Sequence, residues 1–99
     1  MKKFEVLFNK SYGGFSLSKE ATEELNKTYG WNKTEYDFNS RHPRHDPRLI
    51  MLFKEKGSKW FSGVCADIDV VEVEADGYTI NDYDGMESVE EKYADFVLV

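Results

Sequence analysis

Residues 12–18 (YGGFSLS) are the first segment that could do chemistry, and that chemistry is the binding of an anion. Gly13 and Gly14 allow positive φ angles, and the hydroxyls of Ser16 and Ser18 lie where a helix would begin. A glycine loop that leads into a helix N-terminus points backbone N–H groups at whatever lies in front of it. The alternative is a tight turn into a capped helix, which needs the same residues.

Residues 41–48 (RHPRHDPR) are the second such segment, because they hold all three arginines and both histidines of the chain. Arginine binds carboxylates and phosphates through paired hydrogen bonds, and histidine changes charge near neutral pH. We therefore expect Arg44 and Arg48 to contact an anionic ligand or a partner. The alternatives are a solvated basic loop and arginines that pair with acidic strands.

Tyr83, Asp84 and Glu87 complete the predicted ligand-binding residues, in a turn that holds two carboxylates three residues apart. Two such carboxylates could instead be the acid and base of a small hydrolase, or simply a turn residue and an exposed strand position. His42 and His45 lack the helical spacing of a zinc site, so we predict no metal and no cofactor. Five aromatic residues flank the basic segment and suit either a stacked base or a hydrophobic core: Trp31, Tyr36, Phe38, Trp60 and Phe61.

The length of 99 residues predicts one domain over residues 1–99. No apolar run is long enough to span a bilayer and no signal peptide is evident, while the single cysteine, Cys65, fits a reducing compartment. We therefore expect a cytoplasmic protein with no membrane partner, and we interpret Cys65 as a small core residue.

The net charge of −6 is distributed unevenly, with +4 over residues 1–66 and −10 over residues 67–99. An acidic chain lacks the basic footprint that phosphate contacts require, so we expect no direct nucleic-acid binding. The acidic third could bind a basic partner, or it could simply keep the strands soluble.

Secondary-structure signals place these segments on an α+β fold. Residues 3–9 alternate as a half-buried strand, and Ser18 begins a helix over about 19–29 that ends at Gly30. Residues 31–45 are interpreted as a long loop. Asp46-Pro47 predicts a second helix that ends before Gly57 and buries Leu49, Ile50, Leu52 and Phe53. The apolar run Leu49–Phe53 could also be a buried strand.

The last third predicts strands. Ile68–Val73 changes apolar phase between Val70 and Val71, which indicates a bulge or two buried faces. Asp76-Gly77 predicts a hairpin to a strand at residues 78–83, and Asp84-Gly85 predicts a second hairpin to residues 86–90. A helix from Ser88 is the alternative there, and Phe96–Val99 is expected to pack or pair. The predicted order is β-α-α-β-β-β, a mostly antiparallel sheet with two helices on one face.

The order of YGGFSLS, RxDPxLI and YDGxE resembles a family of small uncharacterised proteins of bacteriophages and large DNA viruses. The resemblance extends to about Glu91, and it implies a role in an infected host cell without implying a mechanism. The matching positions are Gly13, Gly14, Ser16, Ser18, Arg44, Asp46, Tyr83, Asp84, Gly85 and Glu87. The second histidine-arginine pair and residues 93–99 depart from the pattern.

Three functional hypotheses follow. The first is a non-catalytic accessory protein that holds an anionic, nucleotide-like molecule between the glycine loop and Arg44/Arg48. The second is an inhibitor whose acidic sheet covers a basic host protein. The third is the hydrolase that uses Asp84 and Glu87. A homodimer is also plausible because small sheets expose strand edges.

Overall fold

A computed structural model describes residues 2–39 and 42–93, which form a small α+β domain. The order of elements confirms the prediction, with one short helix, α3, in addition. The elements are β1 (Lys2–Asn9), α1 (Lys19–Tyr29), α2 (Pro47–Lys56), α3 (Ser58–Phe61), β2 (Ile68–Ala75), β3 (Gly77–Tyr83) and β4 (Met86–Lys92).

The two longer helices begin and end where their caps predict. The Ser18 hydroxyl accepts the N–H of Ala21, and Gly30 ends α1 in the left-handed conformation at φ 70°. The Asp46 carboxylate accepts the N–H of Arg48, and Pro47 stands at the first turn of α2. The helical prediction for the apolar run after Pro47 is therefore confirmed over its strand alternative.

β1 and β2 form an antiparallel ladder with buried residues on both faces, although Glu72 and Glu74 of β2 are exposed. Its register runs without interruption from Lys2 opposite Ala75 to Asn9 opposite Ile68, so the phase change in β2 marks two buried faces and no bulge. Leu7 and Ile68 pack against the helices on one face, and Val6 and Val73 pack against the β3–β4 hairpin on the other. The prediction of a half-buried first strand is therefore wrong, because a second layer covers the face that was expected to meet water.

The hairpin predicted at Asp76-Gly77 is also wrong. β2 pairs with β1 and β3 pairs with β4, and no ladder joins β2 to β3 in the described residues. A two-residue hairpin turn needs positive φ, which Gly77 does not adopt, whereas Asp84 and Gly85 have φ of 56° and 92°. Asp76-Gly77 instead carries the chain from one layer to the next, and the second predicted hairpin is confirmed.

β4 continues as a strand to Lys92, so the alternative helix from Ser88 does not form in the described part of the chain. The prediction for Phe96–Val99 lies outside the described residues. Within residues 2–39 and 42–93, no helix has the length and apolar character needed to cross a membrane.

Candidate functional site

The structure distributes the predicted site residues among separate places. Gly13, Ser16 and Ser18 line a groove of about 690 Å³ formed by residues 13–20, 35–36 and 59–65, which we call the first-helix groove. Arg44 and Glu87 line a second groove of about 710 Å³ between Asn39 with residues 42–45 on one side and β3 on the other, which we call the hairpin groove. The glycine loop and the arginines therefore do not meet in one cavity.

The guanidinium of Arg44 forms all its hydrogen bonds with groups inside the protein. Its Nη1 and Nη2 donate to the two carboxylate oxygens of Glu87 at 2.7 and 2.8 Å, and both side chains are almost fully buried. The remaining N–H groups donate to the carbonyls of Asn39 and Leu7, so all five guanidinium donors are used. The guanidinium also lies 3.7 Å from the centre of the Phe15 ring. The alternative that an arginine pairs with an acidic strand is confirmed here.

Asn9 is a second buried polar residue beside the Arg44–Glu87 pair, and we call these three residues the Arg44 hub. The role of Asn9 was not predicted from the sequence. Its side-chain amide donates to the carbonyls of Ser11 and Gly85, and its Oδ1 accepts the N–H of Asp67. Its backbone N–H donates to Glu87. An asparagine at the end of a strand usually indicates a turn. The only sequence signal for a buried Asn9 was its position two residues after Leu7, on the same face of β1.

Close packing explains two of the motif glycines. A Cβ on Gly13 would lie 2.0 Å from the carbonyl oxygen of Cys65, and one on Gly85 would lie 2.2 Å from that of Tyr12. The glycine loop is thus held between residues 62–66 and the β3–β4 turn. Cys65 itself is exposed, so its prediction as a small core residue is wrong. Tyr83 is largely exposed beside that turn, and Asp84 forms it.

The basic segment is also bonded internally where it is described. His42 Nε2 lies 2.7 Å from Asp46 Oδ2, and Arg48 contacts the same carboxylate at 2.7 Å. Burial raises the pKa of Asp46, but the hydrogen bonds from Arg48 and His42 outweigh it and hold that pKa well below its usual range. His45 bonds the Tyr78 hydroxyl instead, and no three metal-ligating side chains converge within residues 2–39 and 42–93.

The first-helix groove, by contrast, contains donors without acceptors. The N–H groups of Lys19 and Glu20 begin α1 and have no acceptor in the described residues. Ser16 is 9 % exposed, and its hydroxyl makes no hydrogen bond to another described residue. The described side chains include no buried polar atom without a partner, so this hydroxyl is not an unpaired buried donor. The ammonium groups of Lys19 and Lys59 have no carboxylate within 4.0 Å among the described side chains.

Aromatic and acidic side chains complete the groove. Trp60 and the largely exposed Tyr36 supply apolar surface, and Glu20 and Glu35 add two carboxylates. The lysines and carboxylates balance in number, so the N-terminus of α1 is the remaining source of positive charge in the groove. The arrangement can hold a compact anion at the start of α1 and a ring beside it.

No family model, curated protein or solved structure matches this chain. The resemblance to the phage and viral family therefore stays a prediction. The hydrolase also stays a prediction, and the geometry adds nothing in its favour because Glu87 is bound by Arg44 and Asn9.

Proposed function

We propose that this protein is a non-catalytic binding module that holds an anionic small molecule in the first-helix groove. The observation that carries the proposal is that the N–H groups of Lys19 and Glu20 and the Ser16 hydroxyl belong to residues that line one groove, and that none of the three donates to another described residue.

Three physical effects favour an anion at this place. A helix N-terminus carries roughly half a positive charge, and α1 is 11 residues long with its first N–H groups directed out of the helix. Lys19 and Lys59 add two ammonium groups that no carboxylate engages in the described structure. The anion therefore meets directional donors and full charges together, as phosphates do at other helix N-termini.

The aromatic walls favour a nucleotide-like ligand over a bare oxyanion. A volume of about 690 Å³ is within the usual range for small-molecule sites and exceeds the space that one phosphate needs. Trp60 and Tyr36 offer ring faces on which a base could stack. This proposal keeps the glycine-loop half of the predicted site. It leaves out Arg44, which is bonded inside the protein, and Arg48, which is exposed and paired with Asp46.

The biological setting is part of the same proposal and rests on the resemblance alone. A phage or viral accessory protein in the host cytoplasm needs only affinity to sequester a nucleotide signal, and no step of turnover is required.

Calorimetric titration with AMP and with inorganic phosphate tests the proposal. We expect saturable AMP binding that Ser16→Ala weakens about fivefold, since one hydrogen bond is lost, and Lys59→Ala weakens about threefold. Lys27→Ala, in the last turn of α1, is the matched control and should leave the affinity unchanged. Binding of phosphate but not AMP would remove the nucleotide version, and no saturable binding of either would refute the site.

A further inference from the structure

Among residues 2–39 and 42–93, no strand pairs with one of the two edges of β3. The two-residue turn at Asp84-Gly85 makes Tyr83 and Met86 the pair that exchanges both backbone hydrogen bonds. Bonded positions then alternate along the strand, so the N–H and C=O groups of Tyr78, Ile80 and Asp82 point away from β4. None of these backbone groups has a partner in the described parts of the chain.

The hairpin groove follows the same edge. Tyr78, Ile80 and Asp82 all line it, opposite Pro43 and His45 of the basic segment. Free backbone groups beside a side-chain groove are the two requirements for adding an extended peptide to a sheet. The backbone supplies the affinity, and the groove receives every second side chain of the added strand.

The edge carries little of the usual protection against strand pairing, since Asp82 is its single charged residue. Natural edge strands carry lysine, proline or a bulge to prevent pairing, and residues 77–83 (GYTINDY) contain no lysine, arginine or proline. The ladder with β4 is regular from Gly77 to Tyr83, so no bulge turns the edge away either.

We propose that this edge binds an extended, lysine- or arginine-containing segment of a partner protein as an added strand. The partner's charge follows from the hairpin that carries the edge, because residues 76–92 hold six carboxylates against one lysine. Lys2 and Arg44 also line the groove, but Arg44 is paired with Glu87. A second copy of this chain would bring the same acidic strand and be repelled. The first-helix groove has no part in this interaction, so either proposal can fail without the other.

A labelled peptide with the sequence Thr-Lys-Val-Lys-Val-Lys-Thr is the probe, measured by fluorescence anisotropy with the full-length protein. We expect saturable binding that weakens several-fold between 50 and 300 mM salt, as screening of charge requires. Two control peptides should not bind: one with glutamate in place of lysine, and one N-methylated at every second residue. Equal binding of the N-methylated peptide would overturn strand addition.

Amide hydrogen exchange locates the contact. Peptide binding should slow exchange at Tyr78, Ile80 and Asp82 at least tenfold and leave Thr79 and Asn81 unchanged, because those two already bond to β4. The proposal would be overturned if the peptide slowed exchange at other amides instead. It would also be overturned if sedimentation showed a dimer in which these three amides are protected without peptide.

A matched pair of variants tests the backbone contribution. Ile80→Pro and Ile80→Ala both remove the side chain, but only proline removes the outward N–H. We expect Ile80→Pro to bind the peptide about tenfold more weakly than Ile80→Ala, and equal affinities would count against the edge. Should Ile80→Pro fail to fold, the alternating exchange pattern of the unaltered protein decides.

Discussion

The Arg44 hub and the first-helix groove are both built from the motif residues, yet they differ in whether their hydrogen-bond donors are bonded inside the protein. At the hub, the five donors of Arg44 meet carbonyls and the Glu87 carboxylate inside the protein. In the groove, the Ser16 hydroxyl and two helix N–H groups meet no acceptor among the described residues. Residue type alone therefore does not identify a ligand site, because a charged residue whose donors are all used can only support the fold.

Arg44→Ala tests this difference with the largest expected effect. It leaves the Glu87 carboxylate buried without its counter-charge, and we expect a loss of about 3–5 kcal/mol in the free energy of unfolding. Urea denaturation of Arg44→Ala, Glu87→Ala and the double variant measures the coupling between them. If Arg44→Ala unfolded like the original protein and only lost AMP binding, Arg44 would belong to a ligand site after all.

Asn9→Ala should have the next largest effect. It removes side-chain bonds to Ser11, Gly85 and Asp67 and leaves buried backbone groups unpaired, at an expected cost of about 2–3 kcal/mol. Urea denaturation again measures it, and Asn81→Ala on the exposed strand β3 is the control. A cost below that of the control would show that water replaces the Asn9 amide.

Asp46→Asn should change how the free energy of unfolding depends on pH under acidic conditions. The pKa of Asp46 is lower in the folded protein than in the unfolded chain, so its stabilising contribution is present above the unfolded pKa near 4. It is lost as the pH falls from there toward the folded pKa. Asparagine keeps a helix cap but cannot titrate, so we expect a flatter dependence of the unfolding free energy between pH 5 and pH 2. Identical slopes would place the acid sensitivity elsewhere.

Ser16→Ala should have the smallest effect on stability, within about 0.5 kcal/mol, although Ser16 is nearly as buried as Arg44. The reason is that its hydroxyl makes no bond in the described structure. Thermal denaturation without ligand measures this, with Ser18→Ala as the contrasting cap variant that should cost about 1 kcal/mol. A large loss for Ser16→Ala would mean that the hydroxyl is part of the fold.

Local signals predicted the helices and the last hairpin because each depends on residues within one or two turns. Ser18, Gly30 and Asp46 act on their own helix ends, and Asp84-Gly85 needs only its own φ angles. The partner of β2 could not be predicted in this way. Asp76-Gly77 has the composition of a hairpin turn, but the apolar residues on both faces of β2 favoured a second layer instead.

The candidate site was predictable only in its first half. The link from the glycine loop to a capped helix is local, so Ser16 and Ser18 were placed correctly near a helix start. The pairing of Arg44 with Glu87 joins positions 43 residues apart, and no spacing rule reveals it. Lys59 and Trp60 enter the groove from α3, whose four residues carry no side-chain cap.

The ladder between β1 and β2 has a consequence for how the protein is made. Its pairs join residues about sixty to seventy positions apart, with all three helices between them. At about 5–20 residues per second, β1 leaves the ribosome several seconds before its partner exists. During that interval neither apolar face of β1 can be covered by β2 or the hairpin. In a nascent chain stalled before Ile68, Phe4, Val6 and Leu7 should therefore lie in an apolar segment without its partner strand. Such exposed apolar segments are what chaperones bind.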